Sequence, residues 1–199
     1  NGSAILMGGG DYGPKLENLC ITQNSFSTGG NAITSFGSTF SLKNSRIINN
    51  YGRALSIQGT QSSTIDNVIV SGNAKGIEVI TASPTFTNVT ISNHTTDQNG
   101  GGINSENSTL TIENSIIDNN TSSEKGGGIY CRDNSILTIN NTTISNNTSY
   151  DNGGGVFQHG GEASFFNCIF QNNHSNIGGG LMTESVSPVI SQSIFKGNS

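Results

Sequence analysis

Four residues of types that move protons or hold anions, Glu106, Arg132, His159 and Glu184, are spaced 26, 27 and 25 positions apart. A chain returning to the same place at that interval would bring the four side chains into one row. On adjacent strands they would stand about 5 Å from one to the next. Carboxylate, guanidinium and imidazole in such a row could do acid–base work on a polysaccharide, as a lyase or a glycoside hydrolase. The same row also reads as a solvated ladder of opposite charges, which pair favourably across neighbouring strands. No two Asp residues sit together as inverting glycosidases require, and no Asp-rich calcium loop is present, so the sequence favours a non-catalytic surface. Two positions earlier a second row runs Tyr130, Phe157, Met182. With Arg132, these side chains could bind a sugar or a protein partner, unless the neighbouring loops 121–125 and 148–152 fold over them.

Other chemistries find little support. Cys20, Cys131 and Cys168 have no metal-ligand spacing and read as free thiols packed as small hydrophobes. Cys131 and Cys168 alone are close enough in the repeat to be considered for a disulfide. No metal and no cofactor are expected. The net charge is −5 and the eight Lys and Arg residues are dispersed, which argues against a nucleic-acid partner. The longest apolar runs are four or five residues, so no membrane insertion is expected of this segment.

The elements that would position these rows follow from a repeat. Glycine clusters followed by an aliphatic residue recur, as in Gly100-Gly101-Gly102-Ile103, Gly126-Gly127-Gly128-Ile129 and Gly153-Gly154-Gly155-Val156. After each comes an apolar residue, then an Asn, then a second apolar residue and a second Asn. The clearest copy is Ile112-Glu113-Asn114-Ser115-Ile116-Ile117-Asp118-Asn119-Asn120. The first Asn recurs at Asn18, Asn44, Asn67, Asn88, Asn114, Asn141 and Asn167. The second recurs at Asn24, Asn50, Asn73, Asn120, Asn147, Asn173 and Asn198, with His94 interrupting. A period of 21 to 28 residues is too short for helix-turn-helix solenoids, and Leu is too scarce for leucine-rich repeats. With Ile outnumbering Leu by 23 to 8 and 27 Gly and 28 Asn for turns, the chain reads as all-β. The expected architecture is a right-handed parallel β-helix, a solenoid of about eight coils of three short strands.

One strand begins at each glycine cluster and a second is typified by residues 136–139. A bend at the first Asn leads to the third, typified by 142–145, and a variable loop runs from the second Asn to the next glycine cluster. That loop nearly vanishes at Tyr51 and at Ala74-Lys75. Alternate residues should face inward, among them Leu42, Ile65, Phe86, Ile112, Ile139, Phe165 and Ile190 on the second strand, with Ile47, Val70, Ile91, Ile117, Ile144, Phe170 and Phe195 on the third. Each coil then buries a handful of side chains and its neighbours complete the core. An Asn at the same bend of every coil can bond its equivalents above and below. The first-Asn series, Asn18 to Asn167, is therefore expected to form a structural ladder. Among the Asn-x-Ser/Thr sequons, Asn88, Asn120, Asn141, Asn147 and Asn173 are expected to be buried or hydrogen-bonded. Asn93, Asn107, Asn119, Asn140 and Asn146 fall on outward or loop positions and are candidates for glycosylation in a secretory host.

The alternation of Gly-rich clusters with Phe-x-x-Asn, literal at Phe170 to Asn173 and Phe195 to Asn198, resembles the polymorphic outer-membrane protein repeats of Chlamydia. Ile or Val replaces Phe elsewhere, as at Ile144 to Asn147 and Val70 to Asn73. The resemblance covers the whole chain at the level of the repeat. It implies a β-helical passenger region with adhesive or surface roles. The expectation is thus a secreted or cell-surface scaffold whose partner is a surface protein or a glycan. With no polar cap at either end, residues 1–199 are expected to be one segment of a longer solenoid, or to self-associate end to end or laterally.

Overall fold

In the computed structural model, which describes residues 2–10, 13–25, 30–59 and 62–199, every regular element is a β-strand. The chain winds as a right-handed parallel β-solenoid. A typical coil has strands Ile129–Arg132, Ile136–Asn140 and Thr143–Ser145, with the short strand Thr148–Ser149 in its loop. Eight first strands, from Ser3–Gly8 to Leu181–Glu184, stack in chain order as one sheet. The chain returns to that sheet seven times and so makes about seven turns. The eight repeats in the sequence are the eight stacked strands, one more than the number of turns.

The second and third strands of all coils join around the first-Asn bend into a fourteen-stranded sheet. Its register aligns Leu42, Ile65, Phe86, Ile112, Ile139 and Phe165 in one column, and Ile47, Val70, Ile91, Ile117, Ile144 and Phe170 in another. All of these are buried, so like side chains stack on like at the inter-strand spacing. Ile190 and Phe195 continue the columns in the last coil and remain 43 and 45 % exposed. A small third sheet, Thr95–Thr96, Thr121–Ser122 and Thr148–Ser149, stiffens the longer loops.

The bends do not work as the sequence suggested. Asn18, Asn44, Asn67, Asn88, Asn114, Asn141 and Asn167 all have φ between 48° and 58° and exposed side chains. They are bend residues in the left-handed region, which Asn tolerates better than other side chains. They are not the internal ladder. Some bond each other on the outside, as Asn67 Nδ2 does to Asn44 Oδ1 (2.8 Å) and Asn167 Nδ2 to Asn141 Oδ1 (2.9 Å). The buried rungs just inside this bend are short hydroxyls. Ser45, Ser115 and Thr142 accept the backbone N–H of Leu19, Val89 and Ser115 at 3.0 to 3.2 Å.

The internal ladder is the second-Asn series. Asn120 donates its backbone N–H and its amide to Asn147 Oδ1, both at 3.0 Å. Asn147 does the same to Asn173, and Asn173 to Asn198. The second amide hydrogen of Asn147 goes back to the Ile117 carbonyl at 2.9 Å. His94 sits fully buried within this ladder. Its Nδ1–H donates to Asn120 Oδ1 (2.9 Å) and its Nε2 accepts from Asn73 Nδ2 (3.3 Å), an arrangement that requires the neutral ring. Burial lowers its pKa to about 4, against the opposing bond to Asn120.

The glycine clusters divide their work. Gly126 and Gly153 hold φ near +71°, while their followers pack backbone on backbone. A Cβ on Gly102 would lie 2.7 Å from the Gly128 carbonyl oxygen, so any side chain there would force the coils apart.

Two outcomes separate these roles. Asn147→Ala strands the Asn120 donors and the Ile117 carbonyl in the core and should destabilise the fold by roughly 3 kcal/mol or more. Asn141→Gly keeps the left-handed bend and should cost under about 0.5 kcal/mol, with Asn141→Ala costing about 1 kcal/mol. Denaturant midpoints of the three variants measure this order. His94 gives a pH signature. Its pKa is lower in the fold than the ordinary 6.5 of the unfolded chain, so the unfolded state binds the proton first. Stability should be full above pH 6.5 and fall as the pH drops towards 4, by ~3 kcal/mol at most. His94→Asn should flatten that part of the stability–pH curve.

Candidate functional site

The first sheet delivers the two predicted rows to one outer face. Strand pairing sets Glu106 beside Arg132 and His159 beside Glu184, and Tyr130 beside Phe157 beside Met182. These residues stand where they do because inward Ile129 and Cys131, and inward Val156 and Gln158, alternate with them on the strands. Arg132 Nη2 meets Glu106 Oε2 at 2.7 Å and its Nε lies 3.4 Å from Asp133 Oδ2. The hydrogen bond that it donates to Glu106 holds the guanidinium above its ordinary pKa. Glu184 faces the Lys125 ammonium at 3.8 Å. Glu106 and Glu184 are three strand spacings apart, about 14 Å, beyond the separation of either glycosidase carboxylate pair. His159 is exposed next to Glu184, and the two line an open depression of about 300 Å³ with Lys125, Tyr130, Arg132 and Asp133.

The aromatic row is not an open stripe. Phe157 is 1 % exposed. Tyr130 stacks on it with centroids 5.5 Å apart and planes 12° apart, and the Lys125 ammonium lies 4.5 Å from its centroid. Phe157 therefore supports the face from beneath and is no contact residue. The loop ending at Lys125 covers it, one of the two alternatives the sequence left open. Tyr130 and Met182 stay half-buried and accessible. Burial, ahead of the surrounding charges, raises the Tyr130 hydroxyl above its usual pKa, so it is a protonated donor. Lys125 and Asp133 belong to this site and were missed. Lys125 closes a loop whose course has no periodic signal, and Asp133 lies in a bend whose geometry the repeat leaves free.

The remaining candidate positions separate by burial. Asn93, Asn107, Asn119 and Asn146 are exposed at bends with φ between 48° and 59°. Asn140 instead ends a strand, half-buried, with its amide 3.5 Å from Glu113. Of the sequons expected to be buried or hydrogen-bonded, Asn120, Asn147 and Asn173 lie in the core, while Asn88 and Asn141 are exposed left-handed bend residues whose side chains hydrogen-bond to Asp66 and Asn167. Cys20, Cys131 and Cys168 are free thiols. Cys131 points inward from the first sheet and burial pushes its pKa up to about 12, while Cys168 lies at the first-Asn bend and donates to the Ile139 and Phe166 carbonyls.

In comparisons with known proteins, the model of a family described as the right handed beta helix region matches residues 1–117 and 31–199, which together span the chain. No curated protein and no solved structure matched.

The cover over Phe157 is testable. Lys125→Ala removes both the aliphatic stem and the cation above the ring and should lower stability by about 1 kcal/mol. Lys125→Met keeps the stem and should recover roughly half of that in denaturant midpoint.

Proposed function

The chain belongs to the right-handed β-helix family, and from that premise we propose that it is a non-catalytic extracellular or cell-surface scaffold. It acts as an adhesin, passenger or filament component that presents a binding surface to a surface protein or glycan. The observation that carries this reading is the pairing of charges on the first-sheet face. Glu106 and Asp133 both engage Arg132, and Glu184 faces Lys125, so these charged groups hold one another in place. What remains for a partner is the edge and face of Tyr130, the His159 ring and Met182, on a sheet made rigid by its stacked neighbours. The Phe-x-x-Asn repeats support a place among surface proteins of the polymorphic outer-membrane type, and exposed Asn93, Asn107, Asn119 and Asn146 suit a secreted chain that carries glycans.

One observation favours a second reading. His159 and Glu184 are register neighbours at an open depression, a pair that could abstract a proton from a bound polysaccharide. A glycan and protein array read with wild type and Tyr130→Ala tests the first reading: captured partners should be lost or weakened by at least roughly fivefold in the variant. Release of reducing ends or unsaturated sugars from acidic or neutral polysaccharides, abolished by Arg132→Ala, would replace the scaffold with an enzyme.

A further inference from the structure

The loop wall has a gap. From the fourth coil onward the segment after the second Asn position is long enough to pair with its neighbours, as at Thr95–Thr96, Thr121–Ser122 and Thr148–Ser149. In the second and third coils it shrinks to Tyr51-Gly52 and Ala74-Lys75. The Tyr51 side chain stands in the gap, 73 % exposed, with a depression on each side. On one flank, a cleft of about 190 Å³ is lined by Asn31, Arg53 and Lys75 and the backbone of Gly30 and Gly52. On the other, a shallower one of about 420 Å³ is lined by Asn49, Asn93 and Thr95. Asn31, Arg53 and Lys75 are register partners on three successive coils. In the next coil the position is Gly101, where a side chain would meet the backbone of Gly127 and Thr121. The side chains are thus present where the loops are absent.

The two cations of the cleft are incompletely matched. Arg53 Nη2 meets Glu78 Oε1 at 3.0 Å, but the other oxygen of that carboxylate is already shared by Ser56 and Gln58. Lys75 Nζ lies 3.0 Å from Gln98 Oε1 and 3.5 Å from Asp97, whose side chain is 83 % exposed. Burial disfavours the Arg53 charge, with Glu78 offsetting only part of that cost. An anionic group spanning Arg53 and Lys75, on strands about 4.8 Å apart, would meet both.

We propose that this gap is a second binding site, separate from the Tyr130 face, for an anionic sugar: the carboxylate or sulfate on Arg53 and Lys75, and the pyranose face on Tyr51. A sugar fits better than an acidic peptide. The far flank of Tyr51 offers the Asn49 amide and the Thr95 hydroxyl, groups suited to sugar hydroxyls.

The test uses the whole chain and four probes followed by NMR titration: a uronate disaccharide, a sulfated disaccharide, a neutral disaccharide and a hexaglutamate peptide. At least one anionic disaccharide should bind about tenfold or more tighter than the neutral one and weaken as salt rises. Which of the two binds identifies the anion. Tyr51→Ala and Lys75→Gln should each weaken it by at least about fivefold, with denaturant midpoints unchanged because both side chains lie at the surface, while Tyr130→Ala should leave it intact. Equal binding of neutral and anionic sugars, saturable binding of neither, tighter binding of the peptide, or indifference to Tyr51→Ala would overturn the proposal.

Discussion

Every coil of this protein must turn sharply within about two dozen residues, and the turns place one or two residues at positive φ, as at Asn114, Asn119 and the pair Asp133-Asn134. That requirement organises the rest. A left-handed residue breaks the run of inter-strand hydrogen bonds, so the next residue inward must supply an oxygen to its neighbour's orphaned N–H. At one bend the oxygen is an amide, from Asn120, Asn147 or Asn173. At another it is a hydroxyl, from Ser45, Ser115 or Thr142. At the third, Ser108 and Ser135 serve Ala82 and Ser108. The composition follows: Asn on the outside to bend, Asn or Ser on the inside to bond, and Ile or Val between to pack.

The strands and core columns were legible in the sequence because both are periodic, and periodicity survives without knowledge of direction. The part misread was which of two Asn series faces inward. Both recur with the same period, and the difference between Asn114 and Asn120 is a backbone angle and a side-chain direction that residue type does not carry. A hint was present: His94 replaces the second Asn, and a ring that can both donate and accept is an unusual occupant for an exposed bend. The hydroxyl rungs were hidden because Ser115 and Thr142 look like ordinary turn residues.

The surface face was legible to the same extent. Strand register set Glu106 beside Arg132 and His159 beside Glu184, as spacing alone requires. It could not reveal that Lys125 reaches across Phe157, because loop trajectories have no repeat to constrain them. Periodic residues therefore account for the fold, while the distinguishing chemistry lies where copies diverge: at Lys125, Tyr130 and Asp133 on one face and at Tyr51, Arg53 and Lys75 on another.

The amide ladder also has an arrow. Each rung gives its backbone N–H and one amide hydrogen to the oxygen of the coil after it, and its own oxygen receives the same pair from the coil before, so the rungs between Asn120 and Asn198 are interchangeable parts with matching input and output. Adding or deleting such a unit leaves both new junctions satisfied, which makes the length of the molecule a quantity that duplication can change without redesign. The coil of His94 is the exception. A ring nitrogen has one lone pair where an amide oxygen has two, so this module cannot be copied next to itself without leaving donors stranded, and the stretch around it is where the array resists being rearranged.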